Sequence, residues 1–256
     1  MVLTQMASLS RRSVLRVFRQ PETIVPALLF PLLIFGFQAA GLGSATKIPG
    51  FPTNSYVSFL LAFPLVQGSL FSAVAAGTDL ARDIETGFLN RLSLTPMRPT
   101  ALLAGSLVGV VALGFLQSVV FLTVGIIFGV RIEAGFLGAL VLIVLTMLTA
   151  LGFGGIGAIL ALWTGSGEAV QGIFPLLLVS FFLSSILLPR DLIQTDWFRT
   201  VATYNPISYL VEGIRSLIIT GWDGHALLLG FLVAGGLALV GISGATLSLK
   251  GRLGRT

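Results

Sequence analysis

The sequence predicts an all-α polytopic membrane protein with six transmembrane helices. Of its 256 residues, 55% are hydrophobic and only 10% are charged, and the mean hydropathy is +1.00. A soluble domain carries about 25% charged residues. The apolar runs are long and uninterrupted, which is typical of helices and not of the roughly ten-residue alternating strands of an outer-membrane barrel. We therefore treat residues 1–256 as a single transmembrane domain.

Residues 1–22 are predicted to form an amphipathic helix that lies in the membrane interface. Four arginines precede the first apolar run, and apolar side chains such as Leu15 stand between them. A basic amphipathic helix of this kind lies flat among lipid headgroups. Arg11 and Arg12 also fit a twin-arginine export signal. That alternative is weaker, because the apolar run starts only at Thr23 and is interrupted by prolines.

The long apolar runs predict the spans, since each can cross about 30 Å of hydrocarbon at about 1.5 Å per residue. Five spans fall within residues 23–188 and the sixth covers 226–249, followed by a tail at 250–256. The first five are predicted at about 23–43, 56–77, 101–128, 136–163 and 169–188.

Residues 189–223, between the fifth and sixth predicted spans, need a separate interpretation. The apolar stretch 207–219 is too short to cross a bilayer, so we expect a re-entrant or interfacial helical pair on the external side. Glu212 and Arg215 are three residues apart and share a helical face, which predicts a local salt bridge between them.

Residues 80–96 are predicted to form a helix at the membrane surface between the second and third spans. Ile84, Phe88 and Leu92 recur at helical spacing and share one face. Burying the six charged residues between positions 79 and 98 would cost on the order of 15–20 kcal/mol, so this helix lies outside the lipid. Pro96 ends it, because the residue before a proline is disfavoured in helical geometry.

The distribution of positive charge places this helix and both termini in the cytoplasm. Ten of the 15 lysines and arginines fall on the side that carries the termini, and cytoplasmic segments of membrane proteins are enriched in these residues. The basic residues are scattered, without an aromatic-interleaved patch. Anionic lipids, and not nucleic acid, are therefore the expected partners. These features predict a multi-pass protein of a plasma membrane.

The sequence excludes several kinds of catalytic and energy-coupling site. It contains no cysteine and a single histidine, His225. A Walker ATP-binding loop requires a glycine directly before its lysine, and neither Lys47 nor Lys250 meets this requirement. No predicted span has an acidic residue near its centre, which argues against ion-coupled transport. We therefore expect a protein that is not an enzyme, holds no cofactor or metal and obtains energy from a partner.

Three motifs resemble those of type-2 ATP-binding-cassette exporter permeases of the drug-resistance (daunorubicin-type) branch. Glu85-Thr86-Gly87, then Leu92 and Thr95-Pro96, is similar to the E-x-G…L…T-P cytoplasmic motif of that family. Phe88 stands where the family usually has threonine. Arg19-Gln20-Pro21-Glu22 resembles the entry into its first span, and the stretch from Asn205 to Arg215 resembles its N-P…R segment before the last span.

The resemblance implies a permease that works as a homodimer or heterodimer with separate nucleotide-binding ATPase subunits, which bind ATP and Mg²⁺. It would export a lipophilic drug, a lipid or a lipid-linked molecule. Polysaccharide export, or a scaffold role without transport, are the alternatives. Residues 1–22 would be the connecting helix and 80–96 the coupling helix. The implied coupling residues are Arg82, Asp83, Glu85, Gly87, Phe88, Leu89, Arg91, Leu92, Thr95 and Pro96. The implied gate residues are Asn205, Pro206, Glu212 and Arg215.

Overall fold

The computed structural model describes residues 10–15, 19, 21–88 and 99–253, and this part of the chain contains helices and turns but no β-strand. The all-α prediction is confirmed for these residues. The α-helices are α1 Pro21–Gly41, α2 Tyr56–Leu60, α3 Ala62–Glu85, α4 Pro99–Ile127, α5 Gly135–Thr164, α6 Gly167–Gly172, α7 Phe174–Phe182, α8 Asp196–Tyr204, α9 Pro206–Ile219 and α10 Gly224–Leu253. Short 3₁₀ turns follow α1 and α7, at Gly43–Lys47 and Arg190–Leu192.

Five helical stretches in the described residues are long and apolar enough to cross a membrane. They correspond to the first four predicted spans and to the last one. Their bounds are Ile24–Gly41, Tyr56–Glu85, Leu103–Ile127, Gly135–Thr164 and Gly224–Arg252.

The predicted fifth span, 169–188, takes a different form. It is replaced by the shorter apolar stretch Gly167–Phe182, which is divided into α6 and α7 at Ile173. Pro175 has no backbone N–H and cannot continue the helical hydrogen-bond ladder. The N–H groups of Leu176 and Leu177 instead both donate to the carbonyl of Ile173, at 3.1 and 3.2 Å. A sixth crossing therefore stays a prediction.

Helix α5 lies at the centre of the bundle and packs against α3 on one side and α10 on the other. Its approach to α3 depends on Gly157. A Cβ atom at that position would lie 1.9 Å from the carbonyl oxygen of Ala73, so the two backbones touch where a side chain would stand. Small residues permit this kind of close packing between membrane helices. Large apolar side chains, among them Phe63, Leu142 and Phe181, are fully buried in the main hydrophobic core of the bundle.

Helix α3 continues well past the predicted end of the second span at residue 77. The combined stretch Tyr56–Glu85 has 30 residues, about 45 Å at 1.5 Å per residue, which exceeds the hydrocarbon thickness of about 30 Å. Arg82 and Asp83 consequently belong to the last turns of a spanning helix. The prediction that a separate surface helix begins at residue 80 was wrong on this point. Ile84 continues the buried face of α3, and Phe88, beyond the end of that helix, packs against the same apolar cluster as Leu80.

Residues 189–223 contain the helical pair expected before the last span. Helix α8 buries only Ala202, whereas α9 buries most of its 14 residues against the neighbouring helices. The segment is helical as predicted, and its depth in a bilayer stays a prediction.

Candidate functional site

Several predicted site residues that the structure describes belong to two clusters at opposite ends of the second span, where they contact other side chains and backbone groups. We call the first the helix-end cluster: Arg12, Asp83, Glu85, Phe88 and Gly167. We call the second the arginine cluster: Ser185, Arg190, Tyr209, Glu212 and Arg215.

The helix-end cluster is built on the point where α3 stops. The N–H of Thr86 donates to the carbonyl of Arg82, and that of Gly87 to the carbonyl of Ile84, both at 3.0 Å. Gly87 has a φ of 67°, in the left-handed region, where glycine is not strained. The glycine of the E-x-G motif therefore ends the helix and lets the chain turn away.

Arg12 attaches the N-terminal segment to this helix end. Its guanidinium lies 3.2 Å from the Asp83 carboxylate and 4.2 Å from the centroid of the Phe88 ring. Arg12 thus forms an ion pair with Asp83 and a cation–π contact with Phe88. The basic character of residues 1–22 gave a general signal for a surface helix, but nothing in the sequence singled out Arg12 as the partner of Asp83.

Glu85 contacts the turn between α5 and α6. Its carboxylate accepts a hydrogen bond of 3.2 Å from the backbone N–H of Gly167. Arg252, near the end of α10, donates to the carbonyl of Leu162 at 2.8 Å. Arg12, the end of α3, the α5–α6 turn and the end of α10 therefore lie at the same end of the bundle.

The other predicted coupling residues add little to this geometry. Arg82 is exposed in the last turn of α3. Half of the predicted set lies outside the described residues, so its role stays a prediction: Leu89, Arg91, Leu92, Thr95 and Pro96.

Arg215 is the centre of the arginine cluster. It is only 7% exposed, and its guanidinium donates to three backbone carbonyls: Phe59 at 3.2 Å, Ser185 at 3.1 Å and Ile186 at 3.0 Å. The same guanidinium lies 3.5 Å from the centroid of the Phe59 ring. Arg215 thus joins the start of the second span to the irregular backbone after α7, whose carbonyls have no helical partner.

Glu212 pairs with Arg190, so the predicted local salt bridge with Arg215 was wrong. The Glu212 carboxylate accepts from the Arg190 Nε at 2.7 Å and from the Ser185 hydroxyl at 2.9 Å, and a second Arg190 nitrogen completes a bidentate pair. Arg215 binds the three carbonyls described above. Partial burial lowers the pKa of Arg190, but the Glu212 carboxylate and the Tyr209 hydroxyl together more than offset this, and the net change in that pKa is upward.

Asn205 and Pro206 shape the start of α9. The Asn205 side chain accepts from the N–H of Ile207 at 2.9 Å and donates to the carbonyl of Ser180 at 2.6 Å. Pro206 occupies the first turn, where its missing N–H removes no helical bond. These two predicted gate residues therefore act as a helix cap and as a link between α9 and α7.

A cavity of about 470 Å³ lies against the arginine cluster. Arg190, Glu212 and Tyr209 form part of its wall, together with Asp191 and His225. Its volume is within the range of ligand-binding pockets, about 300–1,000 Å³. Sequence reasoning did not find this cavity, because its walls come from α9, the start of α10 and the turn at Arg190–Leu192.

Comparison with known families decides the class of the protein. The family model described as ABC-2 type transporter matches residues 4–219 of the chain. The chain belongs to this family. The predicted membership is confirmed, and every residue of both clusters of the permease lies within the matched stretch.

Individual relatives include putative transport permeases and a daunorubicin resistance ABC transporter permease protein. The permease is 27% identical to the putative transport permease ycf38 of Porphyra purpurea, over 87% of this chain and 77% of that protein. It is 30% identical to ycf38 of Cyanophora paradoxa, over 82% and 72%. It is 27% identical to the daunorubicin resistance ABC transporter permease protein DrrB1 of Streptomyces coeruleorubidus, over 77% and 69%.

Proposed function

We propose that the permease is the membrane subunit of an ATP-driven exporter that moves a lipophilic drug, a lipid or a lipid-linked molecule out of the cell. The observation that carries this proposal is the helix-end cluster. The exposed last turn of α3, the glycine that ends it and the N-terminal arginine together form a polar surface beyond the apolar bundle. Such a surface suits a partner protein that pushes on the second span.

The energy would come from separate nucleotide-binding subunits that carry ATP and Mg²⁺. The permease sequence has no Walker loop, because neither of its lysines follows a glycine. A relative that confers daunorubicin resistance supports a lipophilic drug as the first substrate to test. We expect two permeases in the complex, either identical or related. The strongly exposed apolar side chains of α1 and α10, such as Phe37 and Leu239, would face lipid or the second permease.

We also propose that α6, α7 and the turn after them make the sixth crossing. The two ends of this segment contact opposite ends of the second span: Gly167 bonds to Glu85, and Ile186 shares Arg215 with Phe59. Phe59 and Glu85 are about 39 Å apart along a helix at 1.5 Å per residue. A segment that contacts both must pass from one end of the bundle to the other.

With six crossings, the helix-end cluster and both termini lie on one side. The positive-charge bias assigns that side to the cytoplasm of a prokaryotic cell. The arginine cluster, its cavity and the α8–α9 pair then lie on the external side, where a substrate would leave.

The test is co-purification of the tagged permease from its native cells, followed by identification of any bound ATPase that carries a Walker motif. We expect the ATPase to remain bound and its activity in lipid nanodiscs to rise with daunorubicin or with added lipid. Arg82→Glu should weaken retention of the ATPase. Asp196→Ala, at an exposed site on α8, should not. A well-folded permease that retains no ATPase would favour the scaffold role, and stimulation by a lipid-linked glycan alone would favour polysaccharide export.

A further inference from the structure

Helix α6 is fixed against the end of α3 at two points. The first is the hydrogen bond of 3.2 Å between the Glu85 carboxylate and the Gly167 N–H. The second is apolar: Val170 is only 1% exposed, and a Cβ atom on Gly77 would lie 2.4 Å from its Cγ1. Val170 therefore occupies the space on α3 that a side chain at Gly77 would fill. The polar and apolar contacts together span the last turns of α3.

The far end of the same segment is also fixed. After α7, the carbonyls of Ser185 and Ile186 are both bonded to Arg215. The segment from Gly167 to Ile186 is thus attached at one end to the helix-end cluster and at the other to the arginine cluster. A displacement of the end of α3 would reach the arginine cluster through this segment.

We propose that Glu85 is a positioning residue, which makes α3 and α6 move as one body, and that it is not a contact for the ATPase. This proposal rests on the proposed function. The Glu85 carboxylate is directed at a backbone N–H of its own chain, and a hydrogen bond to a charged acceptor is stronger than a neutral one. The ATPase would push on the exposed residues around Arg82. Glu85 would pass that movement to α6 and α7, and so to the cavity at the other end of the bundle.

The permease contains no cysteine, so an introduced cysteine can be labelled without background. Thr220 is exposed and lines the cavity next to the arginine cluster. In a Thr220→Cys parent bound to the ATPase that co-purifies with it, ATP should change the rate of labelling by a membrane-impermeant maleimide. A parent that binds the ATPase but shows no such change would refute the proposed function, and the inference with it.

In this parent, Glu85→Ala should reduce the ATP-dependent change about two- to tenfold, the effect of losing one hydrogen bond at an exposed site. The amount of bound ATPase should stay the same. Glu85→Gln keeps an acceptor oxygen and should retain most of the response. Glu168→Ala, an exposed carboxylate one residue beyond Gly167, is the matched control and should behave like the parent. Loss of the ATPase from the Glu85→Ala complex would overturn the proposal, because Glu85 would then be a partner contact.

A disulfide between α3 and the α5–α6 turn provides the rescue. A Cβ atom on Gly167 would lie 4.0 Å from the Cβ of Ala81, within the range of about 3.5–4.5 Å found in disulfides. In Glu85→Ala, oxidation of Ala81→Cys/Gly167→Cys should restore the ATP response, and reduction should abolish it again. The proposal is overturned if the disulfide does not form, if it forms without restoring the response, or if it blocks the response when Glu85 is present.

Discussion

Replacing Arg215 with methionine removes three hydrogen bonds to backbone carbonyls, which lie 3.0–3.2 Å from the guanidinium. Hydrogen bonds to a charged group contribute about 1.5–3 kcal/mol each, so the gross loss is about 4.5–9 kcal/mol. Methionine recovers part of this, because burying a charged guanidinium is itself unfavourable. We expect a net loss of about 3–5 kcal/mol in the free energy of unfolding, because three buried carbonyls lose their donors.

The assay is the thermal midpoint of the detergent-solubilised permease, followed by the loss of its monodisperse peak in size-exclusion chromatography. For a chain of this size, 1 kcal/mol corresponds to about 2–4 °C, so Arg215→Met should lower the midpoint by about 10 °C. Arg215→Lys should fall in between, because one ammonium cannot reach three carbonyls that surround a planar guanidinium.

Arg199→Met is the matched control for Arg215→Met. The Arg199 side chain is 49% exposed on α8 and pairs with the exposed Asp196, and such surface ion pairs contribute about 0–1 kcal/mol. Its midpoint should stay close to that of the wild type. If Arg215→Met behaved like this control, the assignment of Arg215 as the residue that holds the backbone after α7 would be refuted.

Three further predictions use the same thermal assay. In a double-mutant cycle, the effects of Glu212→Gln and Arg190→Met on the free energy of unfolding should be coupled by about 1–2 kcal/mol, since the pair is bidentate and largely shielded from solvent. Additive effects would contradict this pairing. Gly87→Ala should cost about 1–2 kcal/mol, because a residue with a side chain is strained at a φ of 67°; an unchanged midpoint would mean that α3 does not end there. Gly157→Ala should prevent stable packing, because its Cβ would overlap a backbone carbonyl of α3. Gly235→Ala, with open space around it, is the control and should be neutral. Equal midpoints for the two variants would exclude the close helix contact.

Hydropathy predicted most of the fold because each apolar run responds to the bilayer independently of the others. Five of the six predicted spans correspond to helices of sufficient length. The exception, 169–188, contains Pro175, which cannot continue the helical hydrogen-bond ladder. The apolar composition of this stretch therefore did not produce one continuous helix. Arg82, Asp83 and Glu85 were assigned to a separate surface helix, whereas they lie in the last turns of α3. This error arose because Ile84 has the same helical spacing in a separate surface helix as in an extended span.

The partners in the two clusters were not predictable from sequence. Glu212 and Arg215 are close in the chain and have opposite charges, which suggested a local pair, yet Glu212 binds Arg190, 22 residues away. Glu85 was assigned to a partner protein, and its carboxylate accepts from a backbone N–H 82 residues further along. Sequence spacing identifies which residues share a helical face, but not which other helix meets that face.

The sequence by itself determined that the chain is a helical membrane protein without an ATP-binding loop and carried the motifs of its family. Those properties depend on composition and short-range order, which no folding event can change. Only the tertiary structure decided where α3 ends, how Arg215 is held and which backbone group Glu85 binds. Such contacts form only when helices distant in sequence pack side by side, because their geometry is set by the few small residues, such as Gly157, that let two backbones meet.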